Sequence, residues 1–309
     1  MIPGWKGRID SPGDGDTRRW HQIVATPEAG ATAGVALVGF ACDEGIRRNN
    51  GRTGAAQGPM VLRAALSNLP VRDDAPLYDA GDVICEGEDL EGAQAAFGAR
   101  VAAMLDAGHL PIGLGGGHEI AFASYQGLIG HLRDRRPRVG IVNFDAHFDL
   151  RQQPVGSSGT PFLQALDHAA GIDLDLQYLC LGISASANTR QLFETARQRG
   201  VRYLLDDEMD MRRLDLCQQR VADWLRDIDL IYLTVCLDVL PHAMAPGVSA
   251  PSARGVPLEV LEPLLETIAA TGKVALMDVA ELSPPFDRDN GTARVAARLI
   301  HRAAHAIRG

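Results

Sequence analysis

The chain has 309 residues, 46% of them hydrophobic and 22% charged, the balance of a soluble globular protein that buries a large core rather than of a disordered one. A net charge of −9, with Lys and Arg scattered along the chain, excludes a nucleic-acid surface, and no stretch reaches the length of a membrane span. Met1–Asp10 lacks an apolar leader core, and the five cysteines (Cys42, Cys85, Cys180, Cys217, Cys236) form no CxxC pair, so a cytoplasmic protein without a disulfide framework is expected.

In chain order, Asp10–Arg19 is polar and Gly-rich, which makes residues 1–25 an N-terminal arm, flexible or capping, on a single domain spanning 1–309. Short apolar runs then alternate with Ala- and Leu-rich segments of helical period. The strands are Val35–Phe40, Leu110–Leu114, Val139–Phe144, Tyr178–Leu181, Val201–Leu204, Leu230–Leu237 and Val274–Met277, and the helices include Gly92–Ala107, Thr189–Arg199, Leu258–Ala270 and Thr292–Ile307. These are βαβ units, and they predict an α/β fold with a central, mainly parallel sheet. Gln152–Gly159 reads as a Gly/Ser/Pro loop. No linker divides the chain.

Ligands of open α/β sheets bind at the carboxyl ends of the strands, and four such ends carry polar clusters. The first is Leu114-Gly115-Gly116-Gly117-His118-Glu119; without a following GK[ST] or a GxGxxG match it is no phosphate loop, and His118 becomes a metal-ligand candidate. The second, Asn143-Phe144-Asp145-Ala146-His147-Phe148-Asp149, places Asp145, His147 and Asp149 at every second residue, where an extended backbone would point them to one side. A solvated strand end is the plain alternative, but carboxylates on a buried strand are costly without a compensating cation. The third, Thr234-Val235-Cys236-Leu237-Asp238, sets Cys236 and Asp238 on one face of a strand by the same period, and the fourth ends in Glu281. For either carboxylate alone a helix cap or a surface salt bridge would suffice. Together the imidazoles and carboxylates suit hard or borderline ions such as Mn²⁺, and six ligands exceed the needs of one tetrahedral zinc, which favours two metals.

These three strings resemble the signature motifs of the ureohydrolase (arginase and agmatinase) family: GGGHE, NFDAHFD for N-x-D-A-H-x-D, and T-x-C-x-D for S-x-D-x-D. The resemblance implies a three-layer α/β/α arginase-like domain, two Mn²⁺ per subunit, hydrolysis of guanidino or amidino carbon–nitrogen bonds, and a trimer or hexamer. It implies that His118 and Asp149 bind the first metal, His147 and Asp238 the second, and that Asp145 bridges them. Further stretches resemble the formimidoylglutamase branch, among them Trp5-Lys6-Gly7-Arg8, Gly39–Gly45, Arg47-Arg48-Asn49, Gly51-Arg52, Asp149-Leu150-Arg151, Ser158–Phe162, Gly247–Pro251 and Thr292–Leu299. The implied reaction is N-formimidoyl-L-glutamate plus water to L-glutamate and formamide.

Two positions depart from the wider family. Ser158 stands where arginases and agmatinases carry a proton-shuttle histidine, which argues against arginine or agmatine as substrate, and Cys236 stands where most members place a second bridging aspartate. On this reading a metal-bound hydroxide attacks the formimidoyl carbon, Asp149 transfers the proton, and Glu281 holds the amidine nitrogen. Arg47, Arg48, Asn49, Arg52, Arg151, Ser158 and Arg190 are the candidates for the substrate carboxylates, since Arg recognises carboxylates in bidentate fashion. Two rivals share the ligand set: a hydrolase of another guanidino acid, and a metal-binding member disabled by Cys236.

Overall fold

The computed structural model describes residues 4–11, 13 and 17–307. Eight parallel strands form one sheet: β1 (Val35–Ala41), β2 (Leu77–Ile84), β3 (Leu110–Leu114), β4 (Val139–Phe144), β5 (Leu176–Ile183), β6 (Arg202–Leu205), β7 (Leu230–Cys236) and β8 (Val274–Ala280). Their order across the sheet is β2-β1-β3-β8-β7-β4-β5-β6. The connecting helices are α1 (Trp20–Ile23), α2 (Glu44–Arg48), α3 (Gly58–Leu66), α4 (Leu90–Asp106), α5 (Ile120–Leu132), α6 (Pro161–Gly171), α7 (Arg190–Gln198), α8 (Leu214–Leu225), α9 (Leu258–Ala269) and α10 (Gly291–Ala306).

The continuous burial of β3, β4, β7 and β8 shows why these strands read as unbroken apolar runs: parallel strands in the middle of a sheet are covered on both faces. Two apolar cores result, one per face. Leu233, Val235, Leu261, Leu265 and Leu299 belong to one, and Phe40, Phe97, Ile141, Tyr178 and Tyr232 to the other. The three-layer α/β/α architecture expected from the sequence is present.

β2 escaped the sequence reading. It carries Asp79, Gly81 and Asp82 in eight residues and lies at the sheet's edge, and the register with β1 shifts at Leu37/Gly39. Its acids are explained by Arg63 of α3, which is 1% exposed and donates to Asp79 at 2.6 and 3.0 Å and to Asp82 at 2.6 Å. Trp5 Nε1 also donates to Asp79. The stretch read as an N-terminal arm is therefore anchored at two points: Trp5 is buried on this ion pair, and Trp20 of α1 packs into the core. Residues 1–3, 12 and 14–16 of that stretch lie outside the described residues.

Candidate metal centre

The carboxyl ends of the four central strands lie level. Phe144 pairs with Val235, Val235 with Val279, and Val279 with Leu114. The chain leaves the sheet at that line on all four strands, and the next residues converge. The glycine turn after β3 is packed backbone against backbone: Gly117 N donates to Cys42 O, Glu281 N donates to Gly116 O, and a Cβ at Gly116 would meet Cys42 O at 1.7 Å. This closeness aims His118 across the strand ends.

The candidate ligands do not alternate along extended strands as a period of two would have them. β4 ends at Phe144, so Asp145, His147 and Asp149 do not share an extended strand, and Asp149 is left-handed with φ +50°. β7 likewise ends at Cys236, and Leu237–Val239 form a single tight helical turn that carries Asp238. The residues meet because loops fold over the strand ends, not because side chains alternate. Asn188 shapes the β4 loop, accepting from Phe148 N at 3.1 Å and donating to Ala146 O at 2.8 Å.

Two clusters result, and they share one residue. His118, Asp145 and Cys236 offer ligand atoms within 4.8 Å of one another, and so do Asp145, His147 and Asp238. His118 Nδ1 lies 2.9 Å from Asp145 and 3.0 Å from Asp149, while His147 Nδ1 lies 3.2 Å from Asp238. Asn143 Nδ2 donates to Asp145 at 3.0 Å, and His147 N donates to the other oxygen at 2.7 Å. Asp238 Oδ1 and Glu281 Oε2 are buried without a hydrogen-bond partner among the described residues. Glu281 is itself left-handed, with φ +75°, and accepts from His118 N at 3.1 Å. Such backbone strain in non-glycine residues collects at functional sites.

The electrostatics describe a cage built for cations. Burial and the charge of Asp145 push Asp149 up to about 6 and raise Asp238. Burial and the Asp238 charge lift Glu281 well above the usual carboxylate range, and burial holds the Cys236 thiol well above its ordinary value. Against burial, hydrogen bonds from His118 and His147 hold Asp145 low. Both imidazoles are lifted by these acids although burial opposes it. Four largely buried carboxylates, two with orphaned oxygens and none paired to a Lys or Arg among the described residues, fit divalent cations.

A cleft of about 310 Å³ opens above the cage. Asn49, Arg52, Arg151, Ser158, Ser249 and Glu281 are among its walls. The sequence-nominated arginines divide sharply. Arg47 and Arg48 turn away into ion pairs with Glu44, supplemented by Glu88 and Glu91. Arg190 lines a separate surface hollow with Phe193 and Tyr203. Arg52 lies at the rim but is spent on structure: it donates to Ser249 O and Val248 O and stacks on Phe286 at 4.1 Å. Arg151 remains, its guanidinium without a hydrogen bond or ion pair among the described residues. Gly159 makes room for it, since a Cβ there would meet Arg151 Cδ at 2.8 Å. Asn49 Nδ2 donates to Ser158 Oγ at 3.2 Å, and the same Cβ at Gly159 would meet Asn49 Nδ2 at 3.0 Å, so Asn49 and Arg151 flank Gly159 together. Sequence reasoning missed Asn188, which pins the β4 loop from a distant position and carries no motif of its own.

A family model described as "Arginase family" matches residues 33–306. The chain belongs to the arginase family. Within that family, a formimidoylglutamase of Ralstonia nicotianae is 53% identical over 308 residues, covering 98% of this chain and 95% of its own. One from Rhodococcus jostii is 51% identical over 302 residues, covering 97% and 94%. Among solved structures, a Trypanosoma cruzi formiminoglutamase variant with Mn²⁺ superimposes with a TM-score of 0.83 at 25% identity, covering 94% of this chain and 98% of that one. The Bacillus subtilis formimidoylglutamase gives a TM-score of 0.85 at 24% identity over 97% and 95%, a likeness of fold. Among the described residues no helix is long and apolar enough to cross a membrane.

Proposed function

We propose that this arginase-family chain is a hydrolase that converts N-formimidoyl-L-glutamate and water into L-glutamate and formamide, with two Mn²⁺ held by the two clusters that share Asp145. The carrying observation is that shared carboxylate, buried beneath a cleft lined by Arg151, whose guanidinium has no partner among the described residues. His118, Asp149 and Cys236 would hold one ion beside Asp145, and His147 and Asp238 the other. Bound there, the ions make water a ready nucleophile at neutral pH by lowering its pKa to about 7.

The residues supply the rest. Asp149, beside His118 at the floor of the cleft, would accept a proton and return it to the departing glutamate nitrogen. Glu281 lines the cleft, its buried Oε2 has no hydrogen-bond partner among the described residues, and it would take the amidine N–H. Arg151, with Asn49 and Ser158 beside it, would clamp a substrate carboxylate. Arg52 fastens the loop after α2 to Val248–Ser249 and so holds the mouth of the cleft. The reading extends to a cytoplasmic enzyme of histidine breakdown assembled as a trimer or hexamer, a part supported by family resemblance alone.

Product analysis tests the reaction. Mn²⁺-loaded protein and formimidoylglutamate should yield glutamate and formamide in equal amounts. Formylglutamate and ammonia would show attack with the other leaving group and would refute the placement of Asp149.

A further inference from the structure

The wall of the cleft that carries Arg151 and Ser158 is a loop with little internal support. Residues 151–159 hold no helix or strand, and among the described residues the backbone of 152–156 makes no hydrogen bond to another backbone group. The loop is closed at its base, where Arg151 N donates to Gly159 O, and pinned at Ser158, whose N donates to Gly45 O of α2. Holding a Gly/Ser/Pro stretch of this kind in one conformation costs entropy, so its order has to come from contacts outside it.

Arg48, the last residue of α2, supplies such a contact. Its side chain is 16% exposed, and all five of its N–H donors are used. Nε donates to Glu44 at 2.9 Å. Nη1 donates to Glu91 at 2.6 Å and to Gly156 O at 3.1 Å, and Nη2 donates to Glu88 O at 2.8 Å and to the second Glu91 oxygen at 3.2 Å. One guanidinium thus joins α2, the start of α4 and the loop. Because α4 runs for 17 residues and packs Leu90, Phe97 and Val101 into the core, the loop is fastened to a rigid element.

The neighbouring Arg47 separates this contact from a plain effect of charge. It shares Glu44 and pairs with Glu88, but its side chain is 51% exposed and makes no hydrogen bond to the loop among the described residues. Exposed pairs of that kind contribute little. The two arginines carry the same charge at adjacent positions, so any long-range attraction for an anionic substrate is common to both. The bond to Gly156 belongs to Arg48.

We propose that Arg48 is a positioning residue: by tying Gly156 to α2 and α4 it holds the loop so that Arg151 and Ser158 line the cleft in the arrangement that receives the substrate carboxylate. The proposal rests on the reading of Arg151 as the clamp for that carboxylate, and kinetics of the Mn²⁺-loaded protein with formimidoylglutamate separate the two. Arg48→Met should raise KM by about tenfold with kcat and Mn²⁺ affinity retained, whereas Arg47→Met, which removes the same charge, should change KM by less than about twofold. Glu44 stays paired with Arg47 in the first variant, so no buried charge is stranded. Arg48→Lys, with three donors instead of five, should recover part of the loss. Added to Arg151→Ala, Arg48→Met should have little further effect, because the two then act through one contact. Hydrogen exchange in substrate-free protein gives a readout independent of turnover: the amides of Ser157, Ser158 and Gly159 should exchange faster in Arg48→Met and not in Arg47→Met. Glu91→Ala, at a side chain 61% exposed, removes two of the five bonds without opening the core and should show the same pattern in smaller measure. Wild-type KM and exchange in Arg48→Met and Glu91→Ala, an equal rise of KM in Arg47→Met, or an undiminished rise on top of Arg151→Ala would overturn the positioning role. An unchanged KM in Arg151→Ala would instead overturn the clamp, and the proposal with it.

Discussion

Cys236 stands where the resemblance implies a second bridging aspartate, and Cys236→Asp is the perturbation that separates what its thiol does from what a carboxylate would do. The sulfur lies with His118 and Asp145 in a cluster no wider than 4.8 Å, and burial holds the thiol neutral when no cation is present. A carboxylate there would add a charge about 4–5 Å from Asp145, a repulsion of about 3–4 kcal/mol at an effective dielectric near 20. The metal-free variant should therefore melt below the wild type, or take up a proton to avoid the repulsion. With Mn²⁺ present the sign reverses, because a hard oxygen suits that ion better than sulfur and can span two ions closely. The expected result is Mn²⁺ binding tighter by about tenfold, or about 1.4 kcal/mol, and a lost preference for Zn²⁺. The assay is calorimetric titration with each metal, paired with melting curves in chelator and in excess metal. Identical Mn²⁺ affinity, identical Zn²⁺ affinity and identical melting shifts in the two proteins would refute the argument that Cys236 is part of the centre.

Four further outcomes follow from the same geometry. Asp145→Asn and His147→Ala should abolish formamide release while circular dichroism and melting change little, because both residues lie in loops past the strand ends; full activity in either would remove the metal assignment. Arg151→Ala should raise KM by about 10–100-fold, as loss of a charge-assisted bond of about 1.5–3 kcal/mol requires, with Mn²⁺ affinity retained; an unchanged KM would move the carboxylate clamp elsewhere. Mn²⁺ affinity should climb with pH, since the cation must displace a proton from Asp149, at about 6 in the metal-free protein, and from His118 and His147, both lifted above the ordinary imidazole value. Calorimetry in buffers of different ionisation enthalpy should report proton release, and affinity that does not vary from pH 5 to 8 would contradict it. Arg63→Met should cost about 3–5 kcal/mol in denaturant unfolding, because it strands Asp79 as an unpaired charge at 0% exposure; a loss below 1 kcal/mol would show that the pair carries no such role.

The fold was legible wherever burial made the sequence repetitive. Central strands such as Val139–Phe144 are covered on both faces and read as apolar runs, whereas β2 is stabilised by Arg63, sixteen positions before Asp79, a pairing that no local period reveals. The gathering of acids and imidazoles was legible for a different reason, since such residues at the ends of buried strands have few other uses. Their geometry was not: the left-handed Asp149 and the turn at Leu237–Val239 gather these side chains by loop conformation, which residue spacing does not encode. Among the arginines, the neighbours decide. Glu44 lies three and four residues before Arg47 and Arg48 and claims both, a local signal already present in the sequence, while the Phe286 and Val248–Ser249 partners of Arg52 come from distant loops.

The central claim is that this metal cage serves an amidino acid whose carboxylate meets Arg151. Its most direct test is one plate of parallel reactions, in which Mn²⁺-loaded protein receives formimidoylglutamate, arginine, agmatine or guanidinobutyrate, and formamide and urea are measured. The account predicts rapid formamide release from formimidoylglutamate, abolished by chelation, with urea release from the three guanidino compounds lower by orders of magnitude. Urea release from any of them matching or exceeding formamide release would contradict it.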